Sequence, residues 1–211
     1  MRECLMTQRR PEIRYSDDGK TKTISGYAAV FANEKDAGTR YKLWDDMEER
    51  IQPGAFDRAL KDKHDVRALF NHEPNNLLGR STSGTLRLST DSVGLKYEID
   101  LPDTQQARDV ATLIDRGDLD GSSFGFVARK VKWEDRGGMS YRKILDVDLI
   151  DVGPVTYPAY TSTTAQMRSE VRSRLEQERK EQAPQGDSTD DAEAIFVALA
   201  ISEIDTTIAS A

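Results

Sequence analysis

Residues 117–155 read GDLDGSSFGFVARKVKWEDRGGMSYRKILDVDLIDVGPV, and the fold turns on how this stretch divides. Ser122 to Trp133 and Tyr141 to Val155 read as long strands, joined by the turn Asp135-Arg136-Gly137-Gly138. Working upstream, Thr104 is an N-cap candidate ahead of Ala107, Val110, Ala111, Leu113 and Ile114, which predicts a helix to Arg116. Leu95, Tyr97, Ile99 and Leu101 alternate, as do Leu86 and Leu88 across the turn-like Thr90-Asp91-Ser92. That is the pattern of antiparallel strands with one buried face. Val66 to Asn71 reads as a strand, and Pro53-Gly54-Ala55-Phe56 opens a short helix through Leu60. Ile13 to Ser16 and Thr21 to Phe31 flank the polar turn Asp17-Asp18-Gly19-Lys20, with Gly26 marking a bulge or a close backbone approach. Together these predict an α+β, mainly β fold: a closed or nearly closed antiparallel β-barrel of about six to eight strands, with helices packed outside.

Composition separates this body from its flanks. The 211 residues are 37% hydrophobic and 32% charged with a net charge of -7, but the charge is concentrated towards the C-terminus. Residues 1–11 are expected to be a flexible N-terminus and 12–168 the folded domain. Residues 169–191 are dominated by charged and small polar groups that cannot offset their ordering entropy by burial, and so read as a linker whose first part could extend a solvated helix. In residues 192–211, Phe196, Leu199, Ile201, Ile204 and Ile208 fall near helical spacing and predict a short amphipathic helix, either folded back on the body or docking elsewhere.

These totals exclude several classes. One cysteine, Cys4, closes no internal disulfide, and two histidines leave a Cys/His zinc site short of ligands, so neither metal nor cofactor is expected. No apolar run approaches the ~20 residues that span a bilayer, and the N-terminus lacks a secretory pattern; a soluble, unexported chain is expected, without membrane contact. The acidic balance argues against a nucleic-acid partner.

Nucleophilic catalysis needs a hydroxyl or thiol, a base and a group that orients the base. The base is scarce here: His64 lies in the charged stretch Lys61-Asp62-Lys63-His64-Asp65, whereas His72 sits at a strand exit before Glu73-Pro74. A lone histidine in either place is more often structural. Cys4 falls in the expected frayed terminus. Ser122 and Ser123, flanked by glycines, are better nucleophile candidates, although small residues at a strand start also serve packing. Among the acids of KILDVDLIDVGPV, Asp146 and Asp148 share a strand face and Asp151 points oppositely unless a bulge intervenes.

Five segments in order carry a resemblance: ISGYAAVF (24–31), IQPGAFDRAL (51–60), LFNHEPNNLLGR (69–80), GDLDGSSFGF (117–126) and LIDVGPVTYPAY (149–160). The body resembles the prohead maturation proteases of tailed bacteriophages, relatives of the herpesvirus assemblins. The resemblance implies an assemblin-like barrel and a serine endopeptidase. It places the family's histidine on His72, its Ser-Phe-Gly-Phe serine on Ser123, and its orienting acid on Asp151, where glutamate is commoner. Asp148 and then His64 are the alternatives for the third position. The implied substrates are the scaffolding segment of the major capsid protein and the enzyme itself, inside the immature prohead in the host cytoplasm; self-association stays open. Oxyanion donors could lie near Phe124 and Gly125 or around Arg142 and Lys143. A non-enzymatic capsid-assembly scaffold on the same barrel is the competing reading. An esterase is a third: Gly121-Ser122-Ser123-Phe124-Gly125 matches the letters G-x-S-x-G, but the chain lacks the alternating strand-helix order of the α/β-hydrolase fold in which that elbow works.

Overall fold

The computed structural model describes residues 3–7, 9–16, 22–157 and 165–182, with the side chains of 165–168 excepted. In chain order these form β1 (Glu3–Thr7), β2 (Glu12–Tyr15), β3 (Lys22–Val30), β4 (Tyr41–Trp44), β5 (Met47–Ile51), α1 (Asp57–Lys61), β6 (Arg67–Leu69), β7 (Leu77–Arg80), β8 (Leu86–Thr90), β9 (Gly94–Asp100), α2 (Gln105–Arg116), β10 (Gly121–Arg136), β11 (Met139–Val155) and α3 (Ala165–Gln182). The chain divides into two units, Met1–Arg172 and Ser173–Ala211; of the second, only the helical residues 173–182 are described. Among the described residues no helix is long and apolar enough to cross a membrane.

The hairpin of the opening stretch forms. β10 and β11 pair antiparallel, Arg136 opposite Met139, and Gly137 and Gly138 close the turn at φ +61 and +79. Left-handed backbone at both central positions matches the right-handed twist of the strands it joins. β11 is 17 residues long and serves as the spine of a 7-stranded sheet with the path β1-β10-β11-β5-β4, with β6 and β7 branching from it. A 4-stranded sheet, β2-β3-β9-β8, supplies the second layer. Between them lies a core of Ile24, Leu95, Tyr97 and Ile99 from one sheet and Leu5, Phe124, Phe126 and Val152 from the other. Phe56 meets Phe124 edge-on at 5.5 Å between centroids, and Phe124 stacks on Phe126 at 4.8 Å.

The mainly β class with few helices therefore holds, and three details differ from the expectation. The strands number eleven, in two sheets whose ladders do not close into a barrel among the described residues. They are not all antiparallel: β5 runs parallel to residues 140–144 of β11, and β6 runs parallel to residues 151–152. The connection through α1 carries the chain off the sheet and back onto the same strand further along. Such pairing is non-local, so residue alternation carries no trace of it. Finally, the N-terminal segment expected to be flexible contributes β1, paired along β10 from Glu3↔Phe126 to Thr7↔Ser122.

Local signals otherwise land close to their marks. Thr104 Oγ1 accepts the Ala107 N–H at 3.3 Å, Gly117 at φ +85 ends α2, and Ala107, Val110, Ala111 and Ile114 form its buried face. Gly26 marks a close approach, because a Cβ there would stand 2.8 Å from the Tyr97 hydroxyl. Residues 169–182 of the expected linker are helical, whereas the turn at 17–20 and the amphipathic segment 192–211 lie outside the described residues.

Candidate active site

Ser122 and Ser123 begin β10 on opposite faces. Ser122, fully buried, shares a 2.8 Å hydrogen bond with the Tyr97 hydroxyl on the core side, and burial pushes the Tyr97 phenol well above its usual range. Ser123, also buried, turns to the other face, where its Oγ lies 2.7 Å from His72 Nε2.

His72 reaches that position through unusual backbone. After β6 the chain enters a tight turn, Phe70–His72, in which Asn71 (φ 55) and His72 (φ 59) both adopt left-handed conformations. Such residues cost on the order of 1–3 kcal/mol each and persist only when their surroundings hold them. Here the hold is the Asn71 side chain. Its Oδ1 accepts the Thr156 N–H at 2.8 Å, and its Nδ2 donates to Thr156 Oγ1 at 3.1 Å. The turn is thereby tied to the end of β11. β6 itself lies so close to β11 that a Cβ on Gly153 would stand 2.1 Å from the Leu69 carbonyl oxygen.

Asp151 is fully buried on β11 opposite Gly125, just beyond the register shift between Gly125 and Phe126. Its Oδ1 accepts a very short hydrogen bond from His72 Nδ1. Serine, histidine and aspartate thus form one hydrogen-bonded chain across β10, the Phe70–His72 turn and β11. Burial pushes the His72 imidazole down, but hydrogen bonds to Asp151 and to the Cys4 sulfur outweigh it and raise its pKa to about 9. A positioned base oriented by a buried carboxylate can take a serine proton and return it to a leaving group.

The remaining candidates lie apart from this chain. Asp148 and Asp146 bind Arg58 at 2.7 and 2.9 Å, and Asp148 also pairs with Arg129; those partners hold the Asp148 carboxyl down at about 2. His64 stands 3.5 Å from Arg58 and lines a separate cavity of about 400 Å³ with Leu60, Val66 and Leu88. Arg142 and Lys143 sit opposite Trp133 and Lys132. Arg142 also binds Glu3 of β1, which lies opposite Phe126, and Glu49 of β5. Phe124 and Gly125 are adjacent to Ser123 and flanked by β1 and β11. Among the described residues, no group of three or more His, Cys, Asp or Glu side chains is arranged to hold a metal.

Cys4 corrects the expectation of a frayed terminus: it is held in β1 opposite Gly125 and reaches His72. The same strand brings the Leu5 carbonyl to 2.7 Å from Ser123 Oγ, where it accepts the serine proton. Only the single alternation of polar and apolar residues in Glu3-Cys4-Leu5 hinted at a strand, and a run that short signals nothing by itself.

These elements define a β-rich protein whose serine, histidine and aspartate are linked as in a serine hydrolase. The chain belongs to the caudovirus prohead serine proteases, a family whose model matches residues 10–178. It is 33% identical over 122 residues to the prohead protease of Enterobacteria phage HK97, a match that covers 56% of this chain. The chain spans about half the length of that relative, 48% of which is matched. The structure of the bacteriophage T4 capsid assembly protease aligns at a TM-score of 0.44 and 11% identity, covering 74% of this chain and 99% of the other.

Proposed function

We propose that the protein is a serine endopeptidase of capsid maturation, with Ser123 as nucleophile, His72 as general base and acid, and Asp151 as the orienting carboxylate. The observation that carries this reading is the 2.7 Å contact between Ser123 Oγ and His72 Nε2, with Asp151 on the other imidazole nitrogen. Ser123 Oγ attacks the scissile carbonyl as His72 takes its proton. His72 then returns the proton to the leaving amine, and water repeats the cycle on the acyl-enzyme. Asp151 fixes the Nδ1–H tautomer and stabilises the imidazolium. Family membership directs the activity to prohead assembly. The substrates on this reading are the scaffolding segment of the major capsid protein and the enzyme's own charged tether, cleaved inside the immature prohead. The tether would occupy residues 169–191, with residues 192–211 as a docking helix for capsid or scaffold or for self-association. A purely structural scaffold would have no use for a left-handed His72 at a cost of kcal/mol.

Co-expression with the capsid protein, followed by mass spectrometry of the cleaved ends, tests the reading. Cleavage should vanish with Ser123→Ala and with His72→Ala and survive Ser122→Ala. Asp151→Asn should lower the rate by about 10⁴, the cost of the equivalent change in a serine protease of known mechanism, and Asp148→Asn should leave it nearly unchanged. Processing that persists in Ser123→Ala and His72→Ala would rule the protease out.

A further inference from the structure

β1 is an end strand of its sheet and lies against β10 on the edge away from β11. Opposed residues of an antiparallel pair share a face. Cys4 and Met6 therefore stand on the side of Gly125 and Ser123, and Leu5 and Thr7 on the core side with Phe124 and Ser122. Leu5 is 1% exposed. Its carbonyl and His72 Nε2 both lie 2.7 Å from Ser123 Oγ, so the two compete for the one hydroxyl proton. A serine has one proton, and while Leu5 holds it the nucleophile is not activated.

The edge that β1 covers is also the place where an extended peptide would join the sheet beside Ser123, by main-chain pairing with side chains read alternately. We propose that β1 is a built-in competitor for the substrate: Glu3–Thr7 fills the place of an extended peptide beside Ser123, and catalysis requires an incoming strand with an aliphatic side chain in the Leu5 position to displace it. This rests on the serine-protease reading above.

The strand is built to detach. Among the described residues it is paired along one side only, and its charged anchor is Glu3 on Arg142 at 2.6 Å. When Glu3 leaves, Arg142 keeps its 2.5 Å bond to fully buried Glu49, so no lone charge is stranded in the interior. Arg10, just downstream, stays fastened to the Ile114 carbonyl at 2.7 Å and limits the movement to the segment before it. The bare Cα of Gly121 makes room for Met6, since a Cβ there would stand 2.0 Å from Met6 Cε. An incoming strand inherits that clearance and the slot vacated by Leu5.

The test uses the full-length protein and a fluorophosphonate that modifies the active serine, with circular dichroism to verify folding. The labelling rate follows the fraction of molecules whose β1 is displaced, so Leu5→Asp should label about tenfold faster than wild type and Glu3→Gln by a smaller factor. The synthetic peptide ECLMT should slow labelling of the Leu5→Asp protein towards the wild-type rate, and ECDMT should not. Equal rates in wild type and folded variants, with Ser123 labelled in all, would overturn the strand proposal and leave the protease reading standing. No labelling of Ser123 in any folded variant would overturn both. If Leu5→Asp does not fold, Glu3→Gln with and without ECLMT decides.

Discussion

Ser122 and Ser123 are chemically identical neighbours, and the alternation of a strand assigns them opposite work. Ser122 satisfies a buried phenol and Ser123 meets the imidazole. Ser122→Ala should destabilise the protein by about 1–3 kcal/mol, because the Tyr97 hydroxyl is left unpaired in the core. Urea unfolding would measure this, and fluorophosphonate labelling of Ser123 should persist. His72 carries a pH dependence. Its folded pKa of about 9 exceeds the ordinary 6.5, so the native state binds the proton more tightly than the unfolded chain. The stabilisation is complete below about pH 6.5 and is lost as pH rises through about 9, a slope that His72→Gln should abolish in unfolding midpoints taken from pH 6 to 10. Reactivity of Ser123 should move oppositely, rising towards pH 9 as the imidazole gives up the proton that prevents it from acting as a base. His72 is marked in the sequence by its place after an apolar strand, whereas residue alternation leaves the acid open and only the family resemblance ranks Asp151 first. Asp146, Asp148 and Asp151 are separated only by the local twist and register of β11, with Arg58 and Arg129 claiming the first two.

At the scale of elements, the site depends on two segments pressed against the end of β11. β6 pairs with Asp151 and Val152, and the Phe70–His72 turn is tied to Thr156 by Asn71. Gly153 is what permits that approach. Gly153→Ala would drive a methyl into the backbone of Leu69, which cannot yield as a side chain can. A destabilisation of about 1–3 kcal/mol or more is expected in denaturant unfolding, with loss of Ser123 labelling as His72 moves away. In the sequence this glycine is one small residue ahead of Pro154, with nothing beside it to mark a close approach. Its purpose needs the neighbouring strand, which arrives from a position some 80 residues earlier in the chain. Helix α2, by contrast, is bounded by its own Thr104 and Gly117 and could be placed from those residues alone.

At the scale of the whole molecule, Arg142 joins three strands: it lies on β11 and binds Glu49 of β5 and Glu3 of β1, with its side chain fully buried. Arg142→Leu should cost about 3–5 kcal/mol in an unfolding titration, because two carboxylates would lose the cation that compensates them in the interior. Nothing in the alternation of β11 singles this arginine out, because its partners come from strands folded in from elsewhere. What the chain's own order of residues determined was local: the β10–β11 hairpin, the caps of α2, the antiparallel β8–β9 pair, and the succession of short segments that marks the family. Their causes lie within a few residues of one another, in turn chemistry and side-chain alternation. Tertiary structure alone decided that β5 and β6 run parallel along one strand, that Arg142 is shared between Glu3 and Glu49, and that the first strand lies over the nucleophile. Each of these is a meeting of segments distant in sequence, selected by shared burial and by hydrogen bonds that form only once the sheets are assembled.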